Sequence, residues 1–337
     1  MRVGPPPWGR STPRPDGRPA HRRAADRLIA IMSSSSSATG GDRAVTDRLR
    51  MPASVLAALA CPHCGAGIAP AGNALSCARG HGFDVAREGY VSLLTGQRPT
   101  GTGDTKEMVR ARREFQEAGH YAPLAARLAA LAADHLPALP AAGCGTETGL
   151  ITDIGAGTGY YLREVLERCA HSTGLALDVS KFALRRAAKA HPRAGAAACD
   201  AWRGLPLRTG AAALLLNVFA PRGGAEFRRV LRDDGALIVV TPTGRHLHEL
   251  IDPLGLVTVD ARKEERLEAT LGGHFSLTHR EELDHPMRLP HAAVATAVGM
   301  GPSARHLDPG ELERRIRGLP TPAPVTASFL VSVYRPA

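Results

Sequence analysis

Short apolar runs alternate with amphipathic stretches from Leu150 onward. Leu150 to Ile154 reads as a strand, followed after a glycine-rich turn by a helix to about Ala170; Gly174 to Leu177 is a second strand and Ser180 to His191 a second helix. Ala196 to Cys199, Ala213 to Val218 and Ala236 to Val240 supply three more strands, with a helix over Glu226 to Leu231 before the last. Strands and helices alternating at this spacing predict an α/β fold, a parallel sheet with helices on both faces. The alternating segment Ser328 to Tyr334 predicts a closing strand that adds antiparallel at the sheet edge.

Upstream the pattern changes. Thr105 caps a predicted helix from Lys106 to Phe115, with Met108 and Phe115 on one face, and a second Ala/Leu-rich helix runs from about Pro123 to His135. A Gly/Thr-rich link, Gly96 to Gly103, precedes them, and a loop bearing Gly143, Gly145 and Gly149 follows. From Cys61 to about Tyr90 the chain is Gly-rich and punctuated by cysteine, with too few apolar residues for a core of its own. Residues 1–50 are rich in Pro, Arg and Ser, include the run Ser33 to Ser37 and show no hydrophobic period. The expected division is a disordered basic tail over 1–50, a zinc-binding domain over 51–100, a helical linker over 101–140 and the main domain over 141–337. Met32 and Met51 offer alternative starts to a shorter chain.

Composition narrows the class. Of 337 residues 44% are hydrophobic and 22% charged, which excludes wholesale disorder. No run approaches the ~20 apolar residues of a membrane span, so no membrane partner and a cytoplasmic location are expected. The net charge is +10, but residues 1–50 hold ten arginines against four aspartates and no glutamate, so six of the ten excess charges sit there. The body is only mildly basic, which permits a polyanionic partner without requiring one.

Three of the six cysteines fall between Cys61 and Cys77. Cys61 and Cys64 stand on one tight turn, and Cys77 with His81 forms a second pair after a twelve-residue loop. Two such pairs can wrap one ion tetrahedrally, and sulfur with imidazole suits Zn²⁺. His63 is an alternative fourth ligand, less well placed inside the knuckle than His81. Four protein ligands leave no open position, so the metal is structural, with a binding free energy on the order of 10 kcal/mol available to fold the segment.

Asp153-Ile154-Gly155-Ala156-Gly157-Thr158-Gly159 follows an apolar strand and opens a helix. Such a turn lets backbone approach a ligand whose charge meets free helix N–H groups. A dinucleotide fingerprint would need glycine at position 160, which is Tyr160. The motif instead resembles the first motif of class I S-adenosylmethionine-dependent methyltransferases, whose Rossmann-like sheet is mostly parallel with an antiparallel edge strand. Asp178 closes the second strand, where it can accept hydrogen bonds from both ribose hydroxyls of a nucleoside. Asp200 ends the third strand beside Trp202, where the adenine would lie.

Together these residues resemble one family, the guanine-N1 methyltransferases of large-subunit ribosomal RNA, which include macrolide (tylosin-type) resistance enzymes. The likeness runs from Cys61, Cys64, Cys77 and His81 through Glu88-Gly89-Tyr90-Val91 and Ala118-Gly119-His120-Tyr121 to Asp153-Ile154-Gly155. It continues in Leu177-Asp178-Val179-Ser180-Lys181, Ala220-Pro221, Thr241-Pro242, Arg245-His246-Leu247 and Pro286-Met287-Arg288-Leu289. The resemblance implies a small zinc domain that helps grip a hairpin of 23S rRNA and a second domain that methylates a guanine. It also implies cofactor contacts at Tyr121, Gly157 with Thr158, and His246, and a homodimer embracing one hairpin. Phe219 and Gly301-Pro302-Ser303 depart from the family pattern where the target base would pack.

The sulfonium methyl is already activated, so the expected catalysis is alignment of base, methyl and sulfur. Asn217-Val218-Phe219-Ala220-Pro221, at the end of the fourth strand, faces the methyl in this fold class; Phe219 is the candidate stacking surface, and Asn217 or nearby backbone carbonyls are the candidate acceptors for base N–H groups. Arg110, Arg112, Arg113, Arg222 and Arg245 are candidates for gripping RNA. The competing readings are a small-molecule methyltransferase, which has no use for a zinc knuckle, and a zinc-bearing RNA-binding protein that no longer turns over.

Overall fold

The computed structural model describes residues 45–96, 103–136, 149–256, 263–301 and 306–337. The first 44 residues of the expected basic tail, most of the glycine link after Gly96 and the loop with Gly143 and Gly145 lie outside them. The last six residues of that tail are ordered: α1 (Val45–Arg48) buries Val45, and the Arg50 N–H donates to the Gly89 carbonyl at 3.0 Å. Next come α2 (Ala53–Ala58) and a small antiparallel sheet of β1 (Ile68–Ala71), β2 (Ala74–Cys77) and β3 (Gly82–Phe83). Ile68, Leu75 and Phe83 cannot close a core alone. They share one with Leu175, Leu177 and Leu207 of the main domain. Backbone bonds secure the junction, Ala60 N–H to the Pro206 carbonyl and Arg208 N–H to that of Ala58, both at 3.0 Å.

β4 (Val91–Ser92) then leaves the small sheet and joins the large one. α3 (Lys106–Glu117) starts at Thr105, whose hydroxyl accepts from the Met108 N–H at 3.2 Å, and α4 (Ala122–His135) follows. Both helices place side chains in the central core, among them Phe115, Leu124 and Leu128. The main domain continues with β5 (Gly149–Ile154), α5 (Tyr160–Arg168), β6 (Ser172–Asp178), α6 (Lys181–Ala187), β7 (Ala194–Ala198), β8 (Ala212–Val218), α7 (Gly224–Val230) and β9 (Leu231–Pro242). It ends with α8 (His248–Leu254), α9 (Lys263–Leu271), β10 (Phe275–Leu289), α10 (His291–Gly299), α11 (Pro309–Arg317) and β11 (Ala323–Pro336). α6 stops at Ala187, short of the expected His191, because Pro192 disfavours helical backbone in the residue before it.

The eight strands of the large sheet are ordered β10-β11-β9-β8-β5-β6-β7-β4. β4 through β9 run parallel, and β5, β6, β7 and β8 are almost wholly buried, as a sheet covered on both faces requires. β11 is antiparallel, as expected, and β10 pairs along its outer side, so the closing strand lies one place in from the edge. Sequence order reverses between β5 and β8, which opens a crevice at the carboxyl ends of those strands. This is the class I S-adenosylmethionine-dependent methyltransferase architecture, Rossmann-like, preceded by the small three-stranded sheet. Among the described residues, no helix is long and apolar enough to cross a membrane.

Candidate functional site

Cys61, Cys64, Cys77 and His81 converge, with one ligand atom of each lying within 4.8 Å of all the others. Sulfurs about 2.3 Å from a tetrahedral ion sit about 3.8 Å apart. Cys64 Sγ to Cys77 Sγ is 3.7 Å, and His81 Nδ1 lies 3.3 Å from Cys77 Sγ and 3.5 Å from Cys61 Sγ. The donor set therefore fits one Zn²⁺. Burial raises the Cys77 thiol, but the Arg79 and His81 backbone N–H groups and the His81 ring outweigh it and bring it down to about 6, toward the ligating thiolate. His63 stays out of the set: its ring packs between those of His81 and Phe83, with centroids 4.9 and 6.2 Å away.

The glycine turn follows β5. Gly155 has φ +75°, and a Cβ there would lie 2.4 Å from that of Ala220, so the loop after β8 rests directly on its bare backbone. Gly157 has φ +55° and donates its N–H to Asp178 Oδ2 at 2.8 Å, while Ser180 N–H reaches Oδ1 at 2.7 Å. The Asp178 carboxylate is thus aimed by two backbone donors and retains lone pairs for a diol. Burial nevertheless holds it above the usual carboxylate range. Asp153 is buried at the end of β5 and its Oδ2 has no partner; burial, then the neighbouring Asp178, raises it to about 8. A bare-backbone cradle beside an orphaned buried polar atom fits a bound nucleoside.

The cleft has about 830 Å³ of open space, and Gly155, Gly157, Asp178, Asp200, Trp202 and Phe219 all line it. Asp200 caps the turn after β7, accepting from the Trp202 N–H at 3.1 Å, which leaves the indole 70% exposed. Thr158 faces inward and donates to Gln116 Oε1 at 2.9 Å, pinning the turn to α3.

Tyr121 and His246, 125 residues apart, meet at 3.1 Å between Oη and Nε2. Ser328 N–H donates to His246 Nδ1 at 3.2 Å, which places the ring proton on Nε2, where it donates to Tyr121. The Tyr121 hydroxyl proton is then available to an acceptor outside the pair. Burial pushes this phenol well above its ordinary value, so it stays protonated. Phe219 joins the cluster, 5.6 Å from Phe329 between ring centroids, and has φ +56°, a strained backbone for a bulky side chain.

Asn217 is engaged inside the protein. It is fully buried; its Nδ2 donates to the Pro221 carbonyl at 2.9 Å and its Oδ1 accepts from Arg222 Nε at 3.0 Å, so the amide is committed inside the protein. It braces the Phe219-Ala220-Pro221 loop from behind. Most of the candidate RNA arginines have partners: Arg110 with Glu114, Arg113 with Glu117, Arg112 with Asp104, and Arg245 with Glu282 and Asp284. Gln116, Asp104 and Ser328 are not among the expected site residues; they reach Thr158, Ser180 and His246, which lie 42, 76 and 82 residues away.

Residues 59–99 match the family model of the zinc ribbon described as RlmA, N-terminal. Over 288 residues the chain is 52% identical to a protein of Micromonospora griseorubida that bears the name of a 23S rRNA (guanine-N(1)-)-methyltransferase, covering 82% of this chain and 97% of that one. It is 50% identical over 287 residues to the 23S rRNA (guanine(748)-N(1))-methyltransferase of Streptomyces fradiae, covering 85% and 99% of the two.

Proposed function

The chain belongs to the family of 23S rRNA (guanine-N1) methyltransferases, and from that premise we propose how its residues divide the work. It is an enzyme that transfers a methyl group from S-adenosylmethionine to N1 of a guanine in 23S rRNA, and it carries a structural zinc ion. The observation that carries the division of roles is the Asp178 carboxylate fastened to the glycine turn by the Gly157 N–H, on the rim shared with Phe219.

When bound, S-adenosylmethionine supplies a methyl group already activated on sulfonium. Asp178 would accept from the ribose hydroxyls, and Asp200 with the exposed Trp202 would flank the adenine. Gly155 and Gly157 let the backbone approach without side chains, and Asp153 provides a buried acceptor behind them. Thr158 fixes the turn through Gln116. The neutral His246 donates to Tyr121, whose hydroxyl proton would then be free to hold the cofactor. Phe219, held at positive φ by the loop that Asn217 braces, offers a ring on which the target guanine stacks. The N1 edge is engaged in a paired duplex, so the base enters unpaired or swung out, at roughly a few kcal/mol. Cys61, Cys64, Cys77 and His81 would fill the coordination of a zinc ion, leaving it the structural work of holding the small domain together.

Guanine 748, named for the S. fradiae relative, is the position to read first. N1 methylation removes the Watson–Crick donor, so primer extension on 23S rRNA should stop beside that base in cells carrying the gene and read through in cells lacking it. Identical read-through in both strains would overturn the proposal. Pairing of two chains around one hairpin is a further part of it, tested by light scattering with and without RNA; a single chain per hairpin would remove that part alone.

A further inference from the structure

α3 and α6 leave the cleft rim side by side, tied where Ser180 Oγ donates to the Asp104 carbonyl at 2.7 Å. Arg112 of α3 turns toward the cleft. On another face of the same helix Lys106, Arg110 and Arg113 recur at one-turn spacing, and Arg185, Arg186 and Lys189 oppose them from α6 and the turn beyond. The groove between them has about 870 Å³ of open space and is lined by these six cations against a single carboxylate, Glu88. Glu88 is engaged by Arg185 at 3.3 Å, and Arg110 and Arg113 hold solvent-screened i,i+4 pairs with Glu114 and Glu117. Among the described residues, Lys106, Arg186 and Lys189 have no carboxylate within ion-pair distance. Phe182 lies in the groove with the Arg185 guanidinium 5.8 Å from its centroid. Lys189 also lines the adjoining depression with Arg50 and His171, so the positive surface continues toward the zinc ribbon.

Facing rows of like charge repel, and the repulsion is relieved when a polyanion lies between them. The groove is concave and is lined from both sides by cations, which matches a phosphodiester strand better than a flat lipid surface. We propose that it holds the backbone of the 23S rRNA stem flanking the target guanine, as an RNA contact separate from the base-binding cleft; this rests on the RNA methyltransferase reading above.

The test uses the full zinc-loaded chain and a transcribed hairpin containing guanine 748 of 23S rRNA with its flanking stem. Substituting Lys106→Ala, Arg186→Ala and Lys189→Ala together removes three contacts. At about 0.9 each, the slope of log affinity against log salt falls by roughly 3 and binding at ~0.15 M salt weakens on the order of a hundredfold. Calorimetric affinity for S-adenosylmethionine stays at the wild-type value, because none of the three lines the cleft. The charge-preserving pair Lys106→Arg and Lys189→Arg keeps the wild-type slope. A triple variant with wild-type slope and affinity, beside a wild-type enzyme that methylates the hairpin, overturns the groove alone. A wild-type enzyme that neither binds nor methylates the hairpin overturns both readings.

Discussion

Replacing Gly155 by alanine should damage the protein far more than the same change at Gly157, although both glycines belong to one turn and both have positive φ. At Gly157 the new methyl would meet only Arg112 Cδ at 3.5 Å, an ordinary contact, so the cost is the left-handed backbone alone, about 1–2 kcal/mol. At Gly155 the methyl would lie 2.4 Å from the Ala220 Cβ, whereas apolar carbons rest at roughly 3.5–4.0 Å. The loop must retreat by about 1 Å or more, adding about 1–3 kcal/mol of overpacking to the same backbone cost. Total losses of about 2–5 kcal/mol at Gly155 and about 1–2 at Gly157 should appear in urea unfolding followed by far-ultraviolet circular dichroism. Because Gly155 and Ala220 both line the cleft, Gly155→Ala should also lower affinity for S-adenosylmethionine in calorimetry. Equal stability losses in the two variants would refute the close approach of the two loops.

Three further outcomes follow from the same geometry. His81→Ala should release the zinc ion while His63→Ala retains it, read by metal analysis of the purified variants; retention in both would mean that the donor set is wrong. Tyr121→Phe should weaken S-adenosylmethionine binding about fivefold, the worth of one hydrogen bond of about 1 kcal/mol, and a wild-type affinity would remove Tyr121 from the contacts. Asp153 is raised by burial, and then by Asp178, to about 8 in the folded protein, against about 4 unfolded. Folding favours its protonated form, so its contribution is complete below the unfolded value and is lost as pH rises through the folded one. Asp153→Asn cannot ionise and should gain stability relative to wild type between about pH 5 and 8; a pH-independent difference would contradict the buried acid.

What could be read from sequence is what the chain holds locally. The zinc ligands lie within twenty-one residues, and the strand, glycine turn and helix around Gly155 are contiguous, so spacing alone locates them. The surroundings of Asn217 are the opposite case: the residue lies near the end of a strand, and Pro221 and Arg222 fold back to engage its amide, which strand position alone does not reveal. The Tyr121–His246 pair is closed by tertiary packing across the sheet, and without the family likeness each residue reads as an ordinary helix-end side chain. β10 escaped notice because charged residues such as Arg280, Glu281, Glu282 and Asp284 fill its middle, and only its ends are buried. An edge strand of this kind lacks the apolar alternation by which strands are recognised.

The most direct measurement supplies purified, zinc-loaded protein with S-adenosylmethionine carrying a labelled methyl group and unmodified 23S rRNA, then digests the RNA to nucleosides. Label should appear in 1-methylguanosine alone and be lost with Asp178→Asn. Label in any other nucleoside, or none in the RNA while the cofactor binds, would contradict methylation at guanine N1.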